Sequence, residues 1–251
     1  MKKLKRSSEA EVISEFLKNE FHGEEFHPDR NSFERLVLEA DLGNEADNAL
    51  RRALLFRLRG HLLREVPEDT EWWEVELEPE DLDYVRVFPR AQWRRISGGS
   101  YLLREIVNRI RTVPFTGRRR AFIARVQAIS DRLRAQRDRT AVLLIGVDEE
   151  RPMTILEGNH RLTAALLAGS ETFSHHFRVF CGFSPKMSRS CWYETNLPNL
   201  WHYGQNRLRN LFYDRDADLN RVPRRGEDTP QVATLEAMEP VHTTKPVGKA
   251  S

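Results

Sequence analysis

The stretch Met153-Thr-Ile-Leu-Glu-Gly-Asn-His-Arg-Leu-Thr-Ala-Ala-Leu-Leu-Ala-Gly169 decides the fold. Its first residues, 153–156, are an apolar run that predicts a short strand, and Gly158 then predicts a sharp turn. The Ala- and Leu-rich segment 159–168 predicts a helix, which Gly169 closes as a C-cap. We therefore expect an α/β (α+β) fold in which a small mixed sheet carries this strand-turn-helix unit.

The turn collects groups that suit an anion. Asn159, His160 and Arg161 stand at the helix start, where free backbone N–H groups and the positive end of the helix dipole lie. Gly158 allows a ligand to approach the backbone, and Glu157 can hold a divalent cation or act as a base. These residues predict a phosphate pocket. The same pattern is also typical of an ordinary strand-to-helix turn with Asn159 as its N-cap.

The motif Glu157-Gly158-Asn159-His160-Arg161, with Ala164, Ala165 and Gly169 behind it, resembles the signature of the ParB/sulfiredoxin-like superfamily. In that superfamily a strand leads into Asp-Gly-x-His/Arg-Arg and then into an Ala-rich helix. The likeness extends over roughly residues 84–183. It implies a mixed sheet of the ParB/sulfiredoxin-like type, with nucleotide or substrate phosphate at Gly158, His160 and Arg161. Glu157 takes the acidic position near Mg²⁺.

The activities found in this superfamily differ in what they require of the motif. Sulfiredoxins carry a nucleophilic Cys where this chain has Asn159, so the resemblance does not imply a sulfiredoxin. We expect a nucleotide-binding protein, with ATP, ADP or CTP and Mg²⁺ as cofactors. The favoured enzyme class is a phosphotransferase or nucleotide hydrolase that acts on a small molecule, with Glu157, His160 and Arg161 as catalytic residues.

A second phosphate-binding candidate is the glycine-rich segment Ser97-Gly98-Gly99-Ser100, which precedes a predicted helix. Its backbone N–H groups could cradle a phosphate. A glycine turn with a serine N-cap explains the same residues. It is not a Walker motif, because no Gly-Lys-Ser/Thr follows.

Charge leaves two other classes of function open. The chain has 40 Lys and Arg against 38 Asp and Glu, a net charge of +2, which disfavours a protein whose main role is to coat nucleic acid. However, Arg118-Arg119-Arg120 begins an Arg-rich helix that extends to Arg139, which indicates either a nucleic-acid or polyphosphate patch or a solvated helix face. The alternatives are thus a nucleic-acid-binding module or ParB-like nuclease, and a non-enzymatic nucleotide-gated interaction protein.

Composition divides the 251 residues into three parts. We predict a helical subdomain at 1–69, a ParB/sulfiredoxin-like domain at 70–213 and a flexible tail at 214–251, where prolines are frequent and aromatic residues are absent. No apolar run approaches the length of a membrane helix, and two cysteines are too few for a disulfide scaffold. We expect a cytoplasmic protein with a small phosphate or nucleotide ligand.

Hydrophobic spacing predicts the individual elements. Helices are expected after Ser7 and Ser8, from Asn31, and over about 46–62, 102–110, 118–136, 159–168 and 198–212. Strands are expected at 72–77, 84–88, 141–147, 153–156 and 177–181.

Overall fold

The computed structural model describes residues 1–24, 26, 30–89, 91–135, 140–169 and 177–212, and the predicted tail at 214–251 lies outside these residues. The described strands are β1 (Lys2–Ser7), β2 (Glu71–Glu76), β3 (Val85–Arg86), β4 (Ala141–Gly146), β5 (Met153–Glu157) and β6 (Arg178–Phe183). The helices are α1 (Glu9–Glu20), α2 (Arg30–Leu38), α3 (Glu45–Leu63), α4 (Ala91–Ser97), α5 (Leu103–Thr112), α6 (Gly117–Ala135), α7 (Asn159–Ala168) and α8 (Leu197–Phe212). The predicted mixture of α and β structure is confirmed.

All six strands join one mixed sheet in the order β1-β2-β6-β4-β5-β3. Strand β4 is central: it pairs parallel with β6 and antiparallel with β5. Every residue of β4 is buried, which is why its sequence reads as a continuous apolar run. Strand β3 pairs parallel with β5 at one edge of the sheet, and β1 forms the other edge.

The side chains of β4 alternate between two hydrophobic layers. Val142 and Leu144 pack into the layer formed with α4 to α7, whereas Ala141, Leu143 and Ile145 pack into the layer formed with α1 to α3. Helices therefore cover both faces of the sheet, and β4 lies in the middle of three layers.

The first 69 residues contribute a strand to the sheet in addition to helices. Strand β1, which the sequence did not predict, pairs antiparallel with β2 across the boundary drawn at residue 69. Its residues Lys2 to Arg6 are exposed, as suits an edge strand whose charges discourage pairing with another chain. Helices α1 to α3 share their core with the sheet. The helix after Ser8 is confirmed, because the Ser8 side chain accepts a hydrogen bond from the Glu11 N–H at 3.1 Å.

Near the sheet edge, one predicted strand was too long and one helix was missed. The strand expected at 84–88 comprises only Val85 and Arg86, because the Phe88 N–H donates to a side chain instead of to a neighbouring strand. Helix α4 was not predicted at all, although it buries Trp93 and Ile96 at helical spacing. Among the described helices, none combines the length and the apolar composition that a membrane crossing requires.

Candidate functional site

Gly158 connects β5 to α7 in a conformation that favours glycine. Its φ is +97°, in the left-handed region that side chains disfavour. A Cβ at this position would lie 3.0 Å from Cγ2 of Val142, which is fully buried in the central strand. The turn and the packing against β4 are therefore sufficient to explain this glycine.

Asn159, the first residue of α7, is used by the fold. It is buried, and its Oδ1 accepts the Phe88 N–H at 2.7 Å. This bond ties the segment after β3 to the start of α7. Asn159 is not an N-cap, since Gly158 holds that position without a side-chain bond.

Arg161 lies between two partners on different layers. Its Nη2 donates to Oε1 of Glu157 at 2.6 Å, and its Nη1 donates to Oδ1 of Asn19 in α1 at 3.2 Å. Both members of the ion pair are largely buried, with 13% of the Arg161 side chain and 23% of the Glu157 side chain exposed. Asn19 in turn donates from Nδ2 to the Ala141 carbonyl at 2.8 Å. The charges of Glu157 and Arg161 thus compensate each other beside the turn.

His160 faces the opposite layer and lies against two aromatic rings. Its ring centroid is 5.3 Å from that of Trp93 and 5.2 Å from that of Phe122. The two aromatic rings also meet each other edge to face at 5.0 Å. The motif is therefore in contact with α4 and α6.

The predicted metal position at Glu157 has few ligands around it. Glu157 accepts from Arg161, and the Asn159 oxygen is bonded to Phe88. Across the described ranges, no group of three or more His, Cys, Asp or Glu side chains could hold a metal ion. These residues do not form a Mg²⁺ site by themselves.

The glycine-rich turn at Ser97-Gly98-Gly99 follows α4 and is closed by its own side chains. The Gly99 N–H donates to Oγ of Ser97 at 3.3 Å, so one N–H of the predicted phosphate cradle is already bonded. Arg109 lies under Gly98, whose added Cβ would come within 2.5 Å of the guanidinium carbon. The Arg109 Nε donates to the Ile96 carbonyl at 3.0 Å. This turn lies at the end of α4 and is not part of the α7 start.

A cleft of about 300 Å³ between α4 and α6 is a stronger candidate for anion binding. We call it the arginine cleft. Its lining contains four exposed arginines and no acidic residue, with an apolar side formed by Phe122 and Ile96; the arginines are Arg95, Arg118, Arg119 and Arg125. None of the four makes an ion pair with another residue in the portion of the chain that the structure describes.

Electrostatics disfavours this arrangement without a ligand. Arg118 and Arg119 lie in the first turn of α6, which contains no acidic residue and where the helix dipole is positive. Each such charge costs on the order of 0.3–1 kcal/mol, and the guanidinium groups also repel one another. An anion in the cleft would remove both unfavourable terms.

Three of the four cleft arginines lie in the Arg-rich segment that the sequence predicts as a patch. The Arg-rich segment from Arg118 was recognised as a candidate patch, but Arg95 was not assigned because α4 had been missed. The spacing of Trp93 and Ile96, three residues apart, was the available signal for that helix. Phe122 links the cleft to the predicted site, because it lines the cleft and contacts His160.

Comparison with protein-family models, with curated proteins and with solved structures finds no match for this chain. The assignment of the candidate sites therefore rests on geometry and charge.

Proposed function

We propose that this protein binds a phosphate-bearing ligand, a nucleotide in the first instance, through the arginine cleft. The observation that carries the proposal is the convergence of four arginines without acidic partners on one cleft. Guanidinium groups match phosphate oxygens in charge and geometry, and they form bidentate hydrogen bonds with them. The apolar residues of the lining, Phe122 and Ile96, are almost fully buried, so the arginines form the surface that such a ligand meets.

The reaction stays a prediction from the sequence. Phosphoryl transfer or nucleotide hydrolysis is proposed for Glu157, His160 and Arg161, and a ParB/sulfiredoxin-like relationship is proposed from the motif. The contact between His160 and Phe122 supports placing the motif next to the cleft. The lining of the cleft itself offers positive charge and hydrogen-bond donors but no general base.

Nucleic acid is the second candidate ligand. Arg118 and Arg125 are seven residues apart on one side of α6, a separation of about 10 Å, so they could contact two phosphates of one backbone. A nucleic acid would bind with a steep dependence on salt, because each neutralised phosphate releases counterions.

The test compares three arginine-to-alanine variants of the full chain in titrations with ATP, ADP, CTP, GTP and inorganic triphosphate, each with and without Mg²⁺. Arg119→Ala removes a cleft arginine, Arg161→Ala removes the arginine of the motif, and Arg189→Ala removes an exposed arginine outside the cleft as the matched control. We expect Arg119→Ala to weaken binding by about 10- to 100-fold, the value of a charge-assisted hydrogen bond, with Arg189→Ala unchanged.

Each outcome assigns or removes a site. Loss in Arg161→Ala alone places the phosphate at the start of α7, as the motif predicts. Equal affinities in all three variants, or no binding of any nucleotide or triphosphate, overturn the proposal. A labelled oligonucleotide titrated at several salt concentrations separates the second candidate from the first by its slope.

A further inference from the structure

A second cavity, of about 320 Å³, lies at the β3 edge of the sheet. Its size falls at the lower end of the range of small-molecule sites, roughly 300–1,000 Å³. Four segments line it: the end of β3, the start of β5, residues 100–102 and residues 193–195. We call it the Tyr193 pocket, and it shares no lining residue with the arginine cleft.

Two neighbouring residues, Thr154 and Arg86, form the polar side of this pocket. Thr154 on β5 and Arg86 on β3 are direct partners in the parallel ladder, so their side chains leave the same face of the sheet. Thr154 is 1% exposed, and its Oγ1 has no hydrogen-bond partner. Arg86 is half-buried and makes no ion pair within the described ranges of the chain. The Thr154 hydroxyl is closed off beneath the pocket surface, so the polar group that a ligand can reach is the Arg86 guanidinium, and an anion would compensate its charge.

Tyr193 provides a hydroxyl on the facing wall. Burial raises the pKa of this phenol, and the positive charge of Arg86 opposes the rise. The Tyr193 hydroxyl is therefore protonated at neutral pH and can donate a hydrogen bond. The remaining lining combines the half-buried apolar residues Pro89 and Leu102 with the hydroxyl-bearing Ser100 and Thr195, whereas Val87 is fully buried. Glu194, the acidic residue of the lining, is exposed at the rim, where solvent screens its charge.

We propose that the Tyr193 pocket binds a small organic carboxylate with an apolar body. The carboxylate pairs with Arg86 and accepts from Tyr193, and the apolar body lies against Pro89 and Leu102. A single half-buried cation matches one negative charge, whereas the arginine cleft matches several. The two sites thus differ in ligand class, and this proposal does not depend on nucleotide binding.

The probes are benzoate and benzamide, which have the same ring and differ in charge. Calorimetry or ligand-observed NMR at millimolar concentration measures their binding, with acetate, butyrate, phenylacetate and inorganic phosphate as further probes. We expect saturable binding of benzoate or phenylacetate and none of benzamide. Phosphate is expected to bind weakly or not at all, because the lining offers a single cation to compensate its charge.

Variants of the full chain assign the site. Arg86→Gln should weaken carboxylate binding by about 10-fold or more, and Tyr193→Phe should weaken it less while keeping the ring. Glu194→Gln, the matched charge change at the rim, should leave the affinity unchanged or raise it. Arg119→Ala should not affect it. Equal binding of benzoate and benzamide, unchanged affinity in Arg86→Gln, or no saturation by any carboxylate overturns the proposal. A thermal melt of each variant verifies folding.

Discussion

Replacing Gly158 with alanine tests whether this glycine serves the fold or the ligand. Two structural facts set the expected cost. The positive φ of +97° costs an alanine about 1–2 kcal/mol, and the new Cβ would lie 3.0 Å from the fully buried Val142, where overpacking costs roughly 1–3 kcal/mol more. We expect the free energy of unfolding to fall by about 3 kcal/mol.

Gly99→Ala is the matched control. Gly99 has a similar φ of +105°, but an added Cβ would have no atom within 4 Å. The loss of stability in Gly99→Ala should be limited to the cost of the positive φ, about 1–2 kcal/mol. For a chain of this size, 1 kcal/mol lowers Tm by roughly 2–4 °C, so Gly158→Ala should lower Tm by about 6–12 °C and Gly99→Ala by about half as much.

Thermal or urea unfolding followed by circular dichroism measures both variants, and Gly158→Ala/Val142→Ala completes a double-mutant cycle. Because Val142→Ala removes the close contact, the double variant should lose less stability than the sum of the two single variants. Equal destabilisation by Gly158→Ala and Gly99→Ala would refute the role of the Val142 contact. Loss of nucleotide affinity in a folded Gly158→Ala variant would instead indicate that this glycine serves ligand binding.

Two further predictions concern stability. Asn159→Ala should destabilise the protein by about 1–3 kcal/mol in urea unfolding, because the Phe88 N–H loses its buried acceptor. Asn159→Asp retains an oxygen at this position and should lose less stability. Equal losses in the two variants would contradict the role of this hydrogen bond. The hydrogen bond from Arg178 holds the pKa of Glu74 below its usual 4.5, so this carboxylate stabilises the fold above that pH and the gain disappears as pH falls through the lowered pKa. Acid titration of stability should therefore be shallower in Glu74→Gln, but not in the exposed-site control Glu34→Gln.

Local signals in the sequence predicted most elements of the fold. The cap at Ser8 and the buried run of β4 each depend on residues close in the chain, so periodicity and capping rules found them. Strand β1 was missed because its residues are basic and exposed, and its identity as a strand depends on pairing with β2. Strand β3 was overestimated because a side chain, that of Asn159, takes the hydrogen bond that a neighbouring strand would supply.

The candidate site was harder to predict, because its contacts also join residues that are far apart in the chain. The motif has Glu157 at the end of β5 and Arg161 four residues later in α7, yet this spacing alone did not show that they form an ion pair. The other partner of Arg161, Asn19, is 142 residues away in the chain, and no local pattern connects them. The arginine cleft likewise needs α4, which supplies one of its four arginines, whereas α6 supplies the other three.

The hydrogen bond from Asn19 to Ala141 also has a consequence for synthesis. The two residues are 122 positions apart, so at roughly 5–20 residues per second the ribosome takes about 6–24 s between making one and the other. During that interval the apolar sides of α1 to α3 have emerged without the strand that covers them. Apolar surface left uncovered in this way makes a nascent chain prone to aggregation. Slowing translation between residues 69 and 141 should lower the soluble yield more than slowing it after β6.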